Sequence, residues 1–153
     1  MNILKRLERS HIDGNWKTKP TTRTYNMVIK ACSSSNRGSR TEQRDALNIA
    51  ISTYKRLRAS SYGDCDKFTF ISMLKAVGKL LPLHSQLRQQ IAVELFHTCC
   101  EEGLLDNCIL ENFMLTASEK ESQSIFASYT NYRGRNVDKI FRDLPKAWSC
   151  KSE

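Results

Sequence analysis

The sequence predicts an all-α fold of stacked helical hairpins, and three observations carry that prediction. One helix signature occurs twice: residues 24–32 (TYNMVIKAC) align with residues 69–77 (TFISMLKAV), with Thr, Lys and Ala in identical register. Self-similarity at a fixed offset points to repeated supersecondary units, an α-solenoid, rather than one globular core. Both copies carry apolar residues at i, i+3, i+4 and i+7: Tyr25, Val28, Ile29 and Cys32, then Phe70, Met73, Leu74 and Val77. That spacing lines one face of an α-helix and would scatter across both faces of a strand. Finally, only three Pro and six Gly interrupt 153 residues that hold several long periodic stretches.

The elements follow in order. Ile3, Leu4 and Leu7 read as the end of a helix belonging to a truncated first unit. The first signature helix is followed by a partner carrying Ala46, Leu47, Ile49, Ala50, Tyr54 and Leu57. The second is followed by Leu87, Ile91, Ala92, Leu95, Phe96 and Cys99, closed by Gly103, a residue suited to the positive φ just past a helix end. Leu110, Phe113, Met114 and Ala117 open a third unit. Polar insertions are expected as loops at residues 33–45, 59–64 and 81–86. The tail predicts a helix over 119–129, with Ile125, Phe126 and Tyr129 as its weak apolar face. A second helix starts at Val137, carries Ile140, Phe141 and Leu144, and is stopped by Pro145. Trp148 is expected to pack back as a lid. Residues 1–118 thus form the repeat region: a half unit at 1–20, units at about 21–66 and 67–106, and a third begun at 107. Residues 119–153 form a C-terminal helical cap, since terminal units must cover the last open face.

Composition narrows the function. Forty per cent hydrophobic content supports a real core. No apolar run reaches the length of a membrane span, and the N-terminus has neither a secretory apolar stretch nor a clean transit peptide. An organellar address would therefore have to lie upstream. The cysteines at 32, 65, 99, 100, 108 and 150 form no C-x-x-C pair, and His97 near Cys99, Cys100 and Cys108 matches no zinc spacing. They read as reduced thiols used as small hydrophobes. No metal or cofactor is expected. His11, His84 and His97 stand in unrelated contexts, His84 at a helix start and His97 on a solvent edge, so no catalytic residues are assigned and an enzyme is not expected. The formal net charge of +8 suits a polyanionic partner. Its cations cluster at Arg37, Arg40 and Arg44, at Lys55, Arg56 and Arg58, and at Arg133 and Arg135, although solvated helix faces would also carry such clusters.

Lys19, Pro20 and Thr21 leading into residues 24–29 (TYNMVI) resemble the opening of a pentatricopeptide repeat. Residues 92–96 (AVELF) through Glu102, Gly103, Leu104 and Asp106 look like its second helix and closing turn, and residues 66–70 (DKFTF) like a junction between units. The landmarks of tetratricopeptide repeats are absent. The spacing departs from the family period of about 35 residues, with aromatic positions 45 and then 40 apart. The chain also resembles the repeat region of protein-only RNase P, without the metal-binding aspartates that would follow there.

The resemblance implies a right-handed superhelical α-solenoid binding single-stranded RNA, one base per repeat, in support of RNA processing, stability or translation. It assigns base reading to Asn26 with Asp66 and to Ile71 with Asp106, and makes Thr21 the closing residue of the truncated unit. Asn with Asp is the family's uracil-preferring pair; Ile71 cannot hydrogen-bond a base edge. Arg23 and Phe68 take the base-stacking positions, Phe68 having packing against the next repeat as its alternative. Lys30, Lys75 and Lys79 would meet phosphates or approach base edges. The implied setting is a mitochondrion or chloroplast, with the cytoplasm as the alternative. A protein-interaction solenoid without RNA binding is the rival reading. Two full units read few bases, which suggests a fragment of a longer array, an oligomer, or a weak binder within an assembly.

Overall fold

A computed structural model describes residues 3–131 and 134–150 and, among them, eight α-helices and no strand. These are α1 (Ile3–Ile12), α2 (Thr22–Cys32), α3 (Arg40–Ala59), α4 (Lys67–Leu80), α5 (Gln86–Glu101), α6 (Asn107–Thr116), α7 (Glu119–Phe126) and α8 (Val137–Asp143). Short 3₁₀ turns occupy Trp16–Thr18, Ser33–Arg37 and Lys146–Trp148.

Local chemistry explains where the helices begin. Thr21, Ser39, Asp66, Ser85, Asp106, Ser118 and Asn136 each stand at an N-cap and accept a backbone N–H three residues on. At Thr21, Ser39 and Asp66 the residue three positions later returns the bond, closing a capping box. α5 ends in a Schellman arrangement: the Leu104 N–H donates to the Cys99 carbonyl and the Gly103 N–H to that of Cys100, both at 3.1 Å. Gly103 takes φ +65°, which a Cβ would penalise.

The structure corrects several expectations. The region 33–45 is not an open loop: Ser33–Arg37 is a 3₁₀ turn and α3 already starts at Arg40. The Ser39–Glu42 capping box starts it early, and Gln43 Nε2 ties down the carbonyls of Asn36 and Gly38 at 3.0 Å each. A 20-residue helix therefore absorbs much of the insertion. Its buried stripe uses Thr53, while Ile49 and, on α5, Leu87 face solvent. α7 stops at Phe126 rather than at Tyr129, and His84 lies in the turn before α5, whose cap is Ser85.

Packing follows a repeating rule. α2 packs on α3 and α4 on α5, so each pair is a helical hairpin; α2 lies against α4, α4 against α6 and α6 against α8. The second helix of each pair also touches the first helix of the next, α3 on α4 and α5 on α6. The interior between them holds Tyr25, Ile29, Leu57, Phe70, Met73, Leu74, Phe96 and Phe113, all essentially inaccessible. Toward the tail, Phe96 stacks on Phe113 at 4.2 Å, with Phe126 and Trp148 edge-on to Phe96 at 5.9 Å. Such aromatic pairs contribute about 0.5–1.5 kcal/mol each beyond area burial. The Leu105 N–H also donates to the Trp148 carbonyl at 2.7 Å, so the tail closes over α5 as a lid would.

The ends of α4 and α6 meet at Arg88. Its buried guanidinium donates to the carbonyls of Gly78 (2.8 Å), Leu81 (2.9 Å), Leu115 (3.2 Å) and Thr116 (2.7 Å). These are carbonyls that helix C-termini leave without intrahelical partners, at the negative end of each dipole. Gly78 permits the approach: a Cβ there would come within 3.1 Å of Thr116 Oγ1.

Candidate nucleic-acid interface

The residues assigned to base stacking and phosphates, Arg23, Phe68, Lys30, Lys75 and Lys79, lie on the outward side of α2 and α4. Arg23, Met27 and Lys30 are exposed along α2 at i, i+4 and i+7. Along α4, beyond the exposed Lys67 at its start, the exposed positions are Phe68, Lys75 and Lys79, with Ser72 half-buried between them. Because α2 and α4 pack side by side, these stripes are neighbours. Phe68 is 70% exposed, so its ring does not pack against the next helical pair. Exposed single rings are common on protein surfaces; this one is available for stacking and has lysines two and three turns beyond it.

Asn26 and Asp66, 40 residues apart, are brought together. Asn26 Nδ2 donates to Asp66 Oδ1 at 2.9 Å, and Thr69 Oγ1 donates to Asn26 Oδ1 at 2.8 Å. Asp66 Oδ1 also accepts the Thr69 N–H at 2.9 Å as the cap of α4. Asn26 is only 9% exposed, so a narrow edge of its amide faces outward. Ile71 and Asp106 are not joined in this way. Asp106 caps α6 through the Ile109 N–H at 2.8 Å and pairs with Lys67 at 3.4 Å. Ile71 is half-buried against the core and has nothing to donate. Thr21, at the cap of α2, spends its hydroxyl on Thr24.

The basic stripe stops at the third hairpin. The positions on α6 equivalent to Arg23 and Phe68, to Asn26 and Ile71, and to Lys30 and Lys75 are Cys108, Glu111 and Leu115, all exposed. Of the cation clusters, Arg37, Arg40, Arg44 and Lys55 are exposed. Arg56 instead pairs with Glu8, and Arg58 with Glu102 at 3.5 Å and with the Tyr54 hydroxyl at 3.2 Å. Arg135 lies 4.0 Å from Glu119, and Arg133 falls outside the described residues.

Several residues that shape this region were not singled out by sequence reasoning. Thr69 stood in the repeated phrase, and an Asp followed three residues later by Thr is a legible capping pair; its second bond, to Asn26, is not. Lys67, Arg88 and the Glu8–Tyr25–Arg56 group depend on contacts between elements far apart in sequence.

Other chemistry is sparse. Among the described residues no group of three His, Cys, Asp or Glu side chains could hold a metal, and no helix is long and apolar enough to cross a membrane. All six cysteines are free; Cys32, Cys65, Cys99 and Cys100 are buried, Cys108 and Cys150 exposed. Burial pushes the thiols of Cys65 and Cys99 up to about 11 and about 12, which holds them protonated and unreactive. A cavity of about 600 Å³ beside α7 and α8, lined by Lys120, Gln123, Thr130 and Arg135 among others, lies apart from the α2–α4 stripe. No protein-family model, curated protein or solved structure matches the chain.

Proposed function

We propose that this protein is a short pentatricopeptide-type α-solenoid that binds single-stranded RNA along α2 and α4. Asn26 reads a base, Arg23 and Phe68 stack on bases, and Lys30, Lys75 and Lys79 neutralise phosphates. The observation that carries this reading is the Asn26–Asp66 contact at 2.9 Å, flanked by exposed cations and an exposed ring. A residue from one hairpin and a residue from the start of the next converge where the family resemblance assigns a base-reading pair. Support of RNA processing, stability or translation in an organelle belongs to the same proposal.

Binding of fluorescent oligo-U and oligo-A across a salt series tests it. Binding is expected to weaken steeply with salt and to favour U, and Asn26→Ala is expected to abolish the preference. Phe68→Ala, at a solvent-facing site, serves as the companion variant: it is expected to weaken both oligomers by about 1–3 kcal/mol, the worth of one base stack. Absence of binding at low salt overturns the proposal.

A second reading has its own observation. The outer face of α6 carries Cys108, Glu111 and Leu115 and no Lys or Arg, a surface better suited to a protein than to RNA. Failure of RNA binding would move the assignment to a protein-interaction solenoid.

A further inference from the structure

The Asn26 amide is gripped at both ends. Asp66 Oδ1 receives its Nδ2–H, and the Thr69 hydroxyl donates to its Oδ1. Thr69 is fully buried, and its Oγ1 in turn accepts the Asp66 N–H at 3.1 Å. The Thr69 hydrogen has two acceptors in reach, Asn26 Oδ1 at 2.8 Å and Asp66 Oδ1 at 3.0 Å, and the shorter lies toward Asn26. A single bond to Asp66 would leave the amide free to pivot about that contact. Bonds at opposite ends fix its plane, and an acceptor-only carboxylate requires the nitrogen on the Asp66 side.

That orientation has a consequence for recognition. The clamped amide keeps one N–H and one carbonyl lone pair for a ligand. Uracil presents an N3–H donor beside the O4 acceptor, whereas cytosine presents an N3 acceptor beside an N4–H donor. The two edges are mirror patterns, so an amide free to flip serves either base, and a clamped one serves a single base. Resting on the RNA reading above, we propose that Thr69 is a positioning residue for base selection, clamping Asn26 so that the site distinguishes uracil from cytosine. The second hairpin cannot do the same, because Ile71 and Ile109 stand where Asn26 and Thr69 would be.

The test compares wild type, Thr69→Val and Thr69→Ser for binding of oligo-U and oligo-C. NMR hydrogen exchange of the Asn26 side-chain amide, measured without RNA, accompanies it. Wild type and Thr69→Ser are expected to prefer U, with slow exchange of the amide protons. Thr69→Val is expected to narrow the preference about fivefold, the worth of one ordinary hydrogen bond, with unchanged salt dependence and fast exchange. An unchanged U-to-C ratio in Thr69→Val overturns the proposal, as does equal loss in Thr69→Ser. Fast exchange in wild type refutes the clamp whatever RNA does. Slow exchange in a wild type that binds neither oligomer refutes the RNA reading, and base selection with it.

Discussion

At the junction of α1, α2 and α3 the buried Tyr25 hydroxyl donates to Glu8 Oε1 at 2.7 Å, and Glu8 also pairs with Arg56. Burial, reinforced by the Glu8 hydrogen bond and charge, pushes the phenol up from 10 to about 12. The fold therefore holds this proton more tightly than the unfolded chain does. Its contribution to stability is fully present below pH 10 and is lost as pH rises from 10 toward 12. Tyr25→Phe is expected to flatten the fall in stability across that window, as measured by urea unfolding at stepped pH; an unchanged slope would refute the assignment. The same position in the second hairpin is Phe70, which packs edge-on to Tyr54 at 6.2 Å. The ring is what the helix pattern requires of both positions, and the hydroxyl is particular to the first.

The helices α4 and α6 end against one guanidinium. The carbonyls of Gly78, Leu81, Leu115 and Thr116, rather than a carboxylate, compensate the charge of Arg88. Removing it leaves those carbonyls short of a donor in a closed space, and breaking a buried charged network costs about 3–5 kcal/mol. Arg88→Met is expected to destabilise the protein by about that much in denaturant titration. Arg88→Lys is expected to recover little, since an ammonium cannot span four acceptors held by a planar fork. A loss under about 1 kcal/mol in Arg88→Met would show that water replaces the guanidinium without cost. The end of α5 was legible residue by residue, because a positive-φ Gly103 needs only itself and the carbonyls just before it. The end of α4 was not, because its partner comes from the next helix.

Across the whole molecule the charge is unevenly used. The chain carries a formal net +8, but Arg56, Arg58 and Lys67 are committed to acidic partners and Arg88 is buried. Arg23, Lys30, Lys75 and Lys79 remain exposed on the adjoining outer stripes of α2 and α4. If these are phosphate contacts, each contributes about 0.7 to the slope of log K against log salt for a single strand. Replacing both Lys30 and Lys75 by Ala is therefore expected to reduce that slope by about 1.4, while Lys55→Ala on the outer face of α3 leaves it unchanged. Equal effects at all three would mean that RNA senses only net charge.

By itself the sequence determined the all-helical class, the apolar stripes that meet in the core and the glycine that ends α5. Those features rest on the 3.6-residue period and on cap chemistry, which act over a single turn. It also marked Asn26 and Asp66 as a pair through the resemblance, together with the outward stripe of Arg23, Lys30, Phe68 and Lys75. Tertiary structure alone decided that Asn26 is nearly buried and held by Thr69, that Phe68 stays in solvent, and that Arg56 and Arg58 pair with acids. It also decided that Ile49 and Leu87, apolar by type, face outward while Thr53 and Arg88 are buried. The physical reason is common to all of these. Burial and pairing depend on which distant element packs alongside, and periodicity within one helix carries no information about that neighbour.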